Sequence, residues 1–258
     1  MSITFLNTVI FIFGAVIGSF LNVCIFRIPA GVSIVKPASR CPVCESPIRW
    51  YQNIPILSYL VLGGRCARCQ HSISWRYPLV EALTGLLFLL VFRSFGMMWA
   101  TPVYWVLVAA LVAISFIDLD HQIIPDVISL PGVPAGFLLT FLVPWLSWKD
   151  SLLGILIGGG SLACVAWIYY LVTRNEGMGM GDVKLLAMLG AFMGWKAILP
   201  IIFIGSVIGS LVGVPLMLIK RADGKLAIPF GPFLSLGAIV FLLWGADLIN
   251  WYLSFLPR

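Results

Sequence analysis

Charged residues are scarce in this chain. Only 10% of its 258 residues are Asp, Glu, Lys or Arg, whereas soluble globular domains carry about 25%. Hydrophobic residues make up 61% of the chain, and the mean hydropathy is +1.06. This composition excludes an ordinary soluble domain and predicts a chain that lies mostly within a lipid bilayer.

The sequence also lacks ten-residue segments in which polar and apolar residues alternate, and this absence excludes a membrane β-barrel. Its apolar residues instead form long runs, and a helix needs about 20 apolar residues to span a bilayer. We therefore predict an all-α polytopic membrane protein. It should have about eight spans, near residues 4–26, 79–97, 101–118, 127–147, 152–173, 183–195, 197–219 and 229–255, with the boundary between the sixth and seventh at Trp195-Lys196.

No Lys or Arg precedes the first apolar run, so we do not expect a cleaved signal peptide there.

If the spans alternate in direction, 12 of the 16 Lys and Arg residues fall on one side of the membrane. Cytoplasmic loops are enriched in these residues, which predicts an N-terminus outside the cytoplasm and a cytoplasmic loop at 28–77. The net charge of +6 then reflects membrane topology, and no nucleic-acid partner is expected.

Four of the six cysteines lie in the long polar segment 28–77, as the pairs Cys41/Cys44 and Cys66/Cys69. Two C-x-x-C pairs are typical of a zinc site, and four thiolate ligands leave no open position for catalysis. We therefore predict a structural Zn²⁺ in a small zinc-ribbon-like loop domain. Two disulfides are the alternative interpretation, although a cytoplasmic loop would lie in a reducing compartment.

An internal repeat supports the zinc prediction. The pattern R-C-x-x-C-x-x-x-I-x-W occurs at Arg40 and again 25 residues later at Arg65. Two copies of one knuckle would supply two ligands each. The remaining cysteines, Cys24 and Cys164, lie alone in predicted spans and should serve as small apolar packing residues.

Acidic residues occur at the predicted cytoplasmic ends of spans: Asp118, Asp120 and Asp126 near the third and fourth, and Asp182 at the start of the sixth. Ionisable groups at membrane depth are costly, so each suggests a function. Two such acids on one membrane face could form an aspartyl protease dyad, in which one carboxylate removes a proton from water and the other donates one. Helix capping is the alternative for each acid alone, and the residues do not choose between Asp118 and Asp120.

Asp182 follows Gly179 and Gly181 and precedes Lys184. The glycines can adopt backbone angles that other residues cannot, and they leave room for a substrate strand. Asp182 would then lie in the first turn of a helix, where the helix dipole favours an anion.

Together these motifs resemble the bacterial type IV prepilin leader peptidases, which are membrane aspartyl proteases with a G-x-G-D motif that also N-methylate their product. The similarity lies in both cysteine pairs and in residues 18–23, 27–29, 53–59, 76–81, 117–120, 124–126 and 177–184. The resemblance implies that Asp118 and Asp182 are catalytic. It also implies supporting roles for Asp120, Asp126, Gly179, Gly181 and Lys184.

The resemblance further implies the substrates, the cofactor and the location. The substrates would be prepilins or pseudopilins of type IV pilus and type II secretion systems, cut between a basic leader and an apolar helix. S-adenosylmethionine would be the methyl donor, and the enzyme would lie in the bacterial inner membrane. The donor site is unknown from sequence. Glu81 is a weak candidate, because an acid at this position also suits a helix N-terminus.

We divide the chain into a first transmembrane helix (1–27), a cytoplasmic four-cysteine domain (28–77) and a transmembrane protease domain (78–258).

Two other functions fit parts of the sequence. A transporter with proton-relaying acids would use acids inside spans, such as Asp247. A membrane-tethered zinc-ribbon adaptor would use the basic loop but not the motif at 179–184.

Overall fold

The computed structural model describes residues 3–174, 179–220 and 228–254. Nine α-helices occur in this part of the chain: α1 (Ile3–Arg27), α2 (Leu57–Val61), α3 (Arg76–Phe95), α4 (Ala100–His121), α5 (Asp126–Leu139), α6 (Trp148–Thr173), α7 (Met180–Met193), α8 (Trp195–Lys220) and α9 (Gly231–Ser254). Short 3₁₀ turns occupy Trp50–Asn53 and Thr140–Leu142. The predicted all-α fold is confirmed, and eight long helices coincide with the eight predicted spans.

Six of these helices, α1, α3, α4, α6, α8 and α9, are long and apolar enough to cross a membrane. The other two predicted spans correspond to α5 and α7, which each contain 14 residues. Helix α5 is shorter than the predicted span 127–147, whereas α7 is about as long as the predicted span 183–195. The predicted span at 127–147 includes Pro144, and its regular helix already ends at Leu139, where the chain enters a 3₁₀ turn. Eight helices therefore correspond to the eight predicted spans, and six of these helices are long enough to cross a membrane.

Helix α7 is short because protein rather than lipid surrounds it. It packs against α5, α6, α8 and α9, and Leu185, Leu186 and Leu189 have no exposed surface. An apolar helix that is buried on every side needs no bilayer-spanning length. It ends at Met193 and is capped by Gly194, whose φ of +78° favours glycine. Helix α8 then begins at Trp195, two residues before the predicted start of the seventh span at 197.

Small residues allow the helices around α7 to approach closely. The backbones of Gly154 on α6 and Gly190 on α7 touch, so that a side chain at either position would overlap the other helix. An added Cβ at Gly158 would lie 2.5 Å from the carbonyl oxygen of Leu186. This contact gives Gly158 a packing role, since small residues let membrane helices pack backbone to backbone.

The chain forms two compact units that divide between Ala113 and Ile114, within α4. In the first unit α1 packs along α3, and an added Cβ at Gly18 would lie 2.7 Å from Cα of Glu81. Trp105 of α4 stacks on Phe88 of α3 with ring centroids 5.2 Å apart. The second unit contains α5 to α9 and the end of α4. The three-part domain division of the sequence stays a prediction.

Candidate active site

The carboxylate of Asp118 is fixed at the end of α4 by the start of another helix. Asp118 is 4% exposed, and its Oδ2 accepts a hydrogen bond of 3.0 Å from the backbone N–H of Gly231, the first residue of α9. A helix N-terminus carries unpaired N–H groups and a partial positive charge, so it suits an anion. Asp118 therefore has a defined position and direction within the second unit.

Asp182 is the third residue of α7, as the motif predicted. Gly179 has extended backbone angles and precedes the helix, and the N–H of Asp182 donates to its carbonyl oxygen at 3.3 Å. The charge of Asp118 acts on the carboxyl group of Asp182, so the two acids belong to one electrostatic site. Within the described part of the chain, Asp182 Oδ1 is buried without a hydrogen-bond partner. A buried carboxylate oxygen without a partner is costly for stability, so a hydrogen-bond donor from a water or a substrate would stabilise it.

Ile124, in the turn between α4 and α5, contacts the backbone beside both acids. An added Cβ at Gly181 would lie 2.9 Å from Cβ of Ile124, and one at Gly231 would lie 3.2 Å from its Cδ1. Gly181 therefore has a packing reason in addition to the expected room for a substrate. Among the residues that the structure describes, only the backbone nitrogen of Gly181, at 3.9 Å, lies within 4 Å of an added Cβ at Gly179.

The other acids of the motif occupy different positions. Lys184 Nζ lies 2.7 Å and 2.9 Å from the two carboxylate oxygens of Asp126, which links the first turn of α7 to the first residue of α5. Asp120 is exposed on the last turn of α4. Thus Asp118 is the acid whose charge acts on Asp182, whereas Asp126 pairs with Lys184. This choice was not possible from the residues alone.

Sequence reasoning did not identify Gly231 as part of this site. The signal was present, because Gly231-Pro232 begins an apolar run and proline is favoured in the first turn of a helix. The partner of its N–H was not predictable, because Asp118 lies 113 residues earlier in the chain. A side chain at this position would crowd the acid, since an added Cβ would lie 2.6 Å from Asp118 Oδ2.

Replacing Gly231 with alanine should therefore reduce catalysis that depends on Asp118. The carboxylate must move by several tenths of an ångström, and a misplacement of about 1 Å can reduce a rate about 100-fold. We expect kcat for substrate cleavage to fall between about tenfold and 100-fold, measured with purified protein.

Gly160→Ala is the matched control for this prediction. Gly160 is an exposed helical glycine on α6, and nothing lies within 4 Å of an added Cβ. It should retain the rate of the unmodified chain. Equal rates for Gly231→Ala and Gly160→Ala would show that the Gly231 contact does not position Asp118 for catalysis.

The four predicted metal ligands form a compact cluster in the first unit. All four cysteines are free, and their sulfur atoms lie within 4.8 Å of one another. The Sγ atoms of Cys41 and Cys69 are 3.8 Å apart, and those of Cys44 and Cys66 are 4.0 Å apart. A disulfide needs about 2.05 Å, whereas four sulfurs at 2.3 Å from a tetrahedral zinc ion would lie about 3.8 Å apart. The cluster could therefore hold a metal ion.

The sequence repeat is also a structural repeat. The N–H of Cys41 donates to the carbonyl oxygen of Ser46 at 3.0 Å, and the N–H of Cys66 donates to that of His71 at 2.8 Å. Antiparallel bridges join Arg40 to Pro47 and Arg65 to Ser72. Each copy is thus a tight knuckle that directs two sulfurs toward the same point.

Hydrogen bonding makes the thiols of this cluster unequal. Hydrogen bonds with the side chain and backbone of Ser46 lower the pKa of Cys44 to about 6. The backbone N–H of Cys69 lowers the pKa of Cys66. A hydrogen bond from the His71 backbone lowers the pKa of Cys69. Desolvation and hydrogen bonds with the other three thiols act in the opposite direction and together raise the pKa of Cys69 to about 11.

Glu81, the weak candidate for the methyl-donor site, belongs to the first unit and not to the acid pair. It is 7% exposed on α3, and its Oε2 accepts a hydrogen bond of 2.8 Å from the backbone N–H of Ile56. The Ser19 hydroxyl of α1 also hydrogen-bonds to this carboxylate. Its position beyond the first turn of α3 does not correspond to a helix cap.

Two protein families match most of the chain. Residues 12–95 match the bacterial Peptidase A24 N-terminal domain, and residues 105–214 match the type IV leader peptidase family. The first match contains the cysteine cluster and Glu81, and the second contains Asp118 and Asp182. No solved structure matches the chain.

Similar proteins from several bacteria carry the name prepilin leader peptidase/N-methyltransferase. The protein of Pseudomonas aeruginosa is 40% identical over 94% of this chain and 91% of its own length. That of Stutzerimonas stutzeri is 39% identical over 95% and 92%, and that of Myxococcus xanthus is 44% identical over 83% and 64%. This level of identity over nearly the full length, together with the two family matches, shows that the chain belongs to the prepilin leader peptidase/N-methyltransferase family.

Proposed function

We propose that this chain removes leader peptides from prepilins or pseudopilins and then N-methylates the new N-terminal residue, with Asp118 and Asp182 as the proteolytic dyad. Membership of the family makes the chain a protease and a methyltransferase. The observation that carries the assignment of residues is the electrostatic interaction between Asp118 and Asp182. The Oδ1 atom of Asp182 is also buried without a hydrogen-bond partner among the described residues.

The geometry suits general acid–base hydrolysis of a peptide bond. Two carboxyl groups held close together share one proton, because like charges repel at short distance. One group can then take a proton from the attacking water while the other donates to the carbonyl oxygen. Gly231 fixes Asp118 Oδ2, and Asp182 Oδ1, which accepts no hydrogen bond from the residues that the structure describes, can accept one from the water. Gly179 leaves its side-chain space open beside Asp182.

Lys184 and Asp126 support the dyad by position. Their two-point ion pair joins α7 to α5 within one turn of Asp182. Exposed ion pairs contribute only about 0–1 kcal/mol to stability. We therefore assign this pair to the alignment of the two helix ends rather than to the stability of the fold, and we assign Asp120 to the exposed edge of the site.

The substrate would approach this site from the bilayer. The dyad lies at the end of α4 and the start of α7, and long apolar helices of the same unit would lie in the lipid. We propose that the apolar helix of a prepilin lies beside these spans in the inner membrane while its basic leader lies in the cytoplasm. The positive-inside bias supports a cytoplasmic cysteine loop and dyad, with the N-terminus on the other side.

Zinc is the metal that the cysteine cluster would hold. Four thiolates in a tetrahedral arrangement select Zn²⁺ or an iron–sulfur cluster among biological metals, and four identical ligands favour a closed structural site. Within the described part of residues 28–75, only short helices are present, so a metal would supply the cross-link that a larger core supplies elsewhere.

One assay tests both activities. The purified full-length chain would be incubated with a purified prepilin and S-adenosylmethionine, and both fragments would be weighed by mass spectrometry. We expect a leader that ends in Gly and a mature fragment heavier by one methyl group. An intact precursor under conditions in which a known family member cleaves it would reject the proposed function.

The transporter and the adaptor have less support. Asp247, the acid that suited a proton relay, is exposed on α9, whereas functional acids within membrane spans usually face the bundle interior or a water-filled cavity. An adaptor would not need the dyad or the contacts that hold it. The family matches likewise favour the enzyme.

A further inference from the structure

A large cavity lies in the first unit, in a part of the chain that the proteolytic dyad does not use. Its volume is about 1070 Å³, and every residue that lines it falls between Ser19 and Glu81. Ligand pockets typically measure about 300–1,000 Å³, so the cavity can hold a small organic cofactor. The Peptidase A24 N-terminal match, residues 12–95, covers it completely.

A buried carboxylate lies at one wall of this cavity. Glu81 is among its lining residues and is 7% exposed. A charge removed from water in this way is expensive unless something pairs with it. The observed partners of Glu81 are neutral: the backbone N–H of Ile56 at 2.8 Å and the Ser19 hydroxyl. A cationic partner from outside the chain would balance this charge.

The backbone that faces Glu81 is strained. Ile56 has φ +64° and ψ −50°, and the N–H of Leu57 donates to the carbonyl oxygen of Pro55 at 2.6 Å. These are the marks of a γ-turn of the rare, strained type, and a positive φ is especially unfavourable for a β-branched residue. Strain of this kind clusters at functional sites. Here it directs an N–H toward the wall that holds Glu81.

The rest of the cavity provides both charge signs and aromatic rings. Its lining includes the acids Glu45 and Glu81. It also includes four arginines and three tyrosines, Arg27, Arg40, Arg49, Arg68, Tyr51, Tyr59 and Tyr77. Arginines suit a carboxylate, tyrosine rings suit a purine ring or an organic cation, and a buried carboxylate suits a cation. The excess of arginines disfavours a basic peptide as the occupant.

We propose that this cavity binds the methyl donor S-adenosylmethionine, with Glu81 supplying the negative charge that attracts its sulfonium. This molecule combines a purine, a carboxylate and a permanent cation, which are the three features that the lining can recognise. The proposal rests on the proposed methyltransferase function, because it assigns that activity a site in the first unit. It also gives Glu81 a role beyond holding the Ile56 turn.

The test compares two ligands that differ in charge at sulfur. S-adenosylmethionine is a sulfonium cation, and S-adenosylhomocysteine is the neutral thioether. Binding of each to the detergent-solubilised full-length protein would be measured by isothermal titration calorimetry, without prepilin. Glu81→Gln keeps an acceptor oxygen for the N–H of Ile56 and removes only the charge. We expect it to weaken S-adenosylmethionine about tenfold or more and S-adenosylhomocysteine much less.

Asp247→Asn, which removes an exposed carboxylate outside the cavity, is the matched control and should leave both affinities unchanged. Equal losses for the two ligands in Glu81→Gln would mean that Glu81 only holds the turn, and this result would overturn its assigned role. If Glu81→Gln bound both ligands with the affinities of the unmodified protein, the assigned role of Glu81 would also be overturned. Because the assay contains no prepilin and needs no cleavage, failure of the dyad assignment would not affect it.

A second measurement uses only the unmodified protein and therefore does not depend on the folding of a variant. Ultraviolet cross-linking of radiolabelled S-adenosylmethionine to the unmodified protein, followed by peptide mapping, should place the label within residues 19–81. Competition by unlabelled S-adenosylhomocysteine should remove it. Label confined to residues 114–254, or label that the competitor does not remove, would overturn the location of the site.

Discussion

Replacing Asp182 with asparagine should lower the rate of prepilin cleavage by about 10²–10⁴-fold, the range that general acid–base groups contribute. Asparagine has nearly the same shape, so the start of α7 should be preserved while the dyad loses a proton-transfer group. Asp118→Asn should have a similar effect, because its side-chain oxygen can still accept the N–H of Gly231. The rate is measured by conversion of precursor to mature pilin with purified enzyme.

The control for both variants is Asp247→Asn, which removes an acid from the exposed surface of α9. It should cleave at the rate of the unmodified chain. Melting temperatures of all variants would show that loss of activity does not come from unfolding. Cleavage at the unmodified rate by either Asp118→Asn or Asp182→Asn would reject the dyad, whereas a reduced rate in Asp120→Asn alone would transfer the catalytic role to that residue.

Replacing Cys41 with serine should remove the bound metal and disorder the loop around the cluster. We expect the zinc content to fall from about one ion per chain to nearly zero, since a serine hydroxyl is a far weaker zinc ligand than a thiolate. Structural zinc contributes on the order of 10 kcal/mol to the folding of small zinc domains. Zinc is measured by mass spectrometry of the purified protein, and loop order by the rate of proteolysis between residues 28 and 75.

Cys164→Ser provides the control, because Cys164 is an exposed cysteine on α6 that lies outside the cluster. It should bind as much zinc as the unmodified chain and resist proteolysis equally. Unmodified protein purified without any zinc or iron would contradict the metal site. Detection of disulfides between these cysteines would instead favour the alternative interpretation.

Local patterns in the sequence were sufficient for the helices and the cysteine knuckles. Long apolar runs predicted eight helices in the correct order, because a spanning helix satisfies its own backbone hydrogen bonds and needs no partner to be recognised. The repeat around Arg40 and Arg65 predicted two equivalent knuckles, because a C-x-x-C turn is formed by neighbouring residues. The position of Asp182 in the first turn of a helix also followed from the glycines before it.

Lengths of helices in the middle of the fold were harder to predict. An apolar run of about 20 residues is equally consistent with a lipid-facing span and with a shorter helix inside the protein. The predicted span 183–195 came within one residue of the length of α7. Its composition does not show the reason for this short length, which is that four other helices cover α7. Helix α5 contains Pro131 and Pro134 and ends before the predicted end of its span. Just beyond its end, the hydroxyl of Thr140 donates a hydrogen bond of 3.3 Å to the backbone carbonyl oxygen of Ala191 on α7.

The amino-acid sequence by itself determined the membrane class, the order of the helices, the cysteine cluster and the acids that could act. Only the tertiary structure decided that Asp118 is the acid whose charge acts on Asp182 and that the N–H of Gly231 holds Asp118. It also decided that Glu81 lines a cavity beside the strained turn at Ile56. The physical reason is separation along the chain. Periodicity and capping depend on neighbours within a few residues, whereas the contact between Asp118 and Gly231 joins residues 113 positions apart and exists only when whole helices have packed.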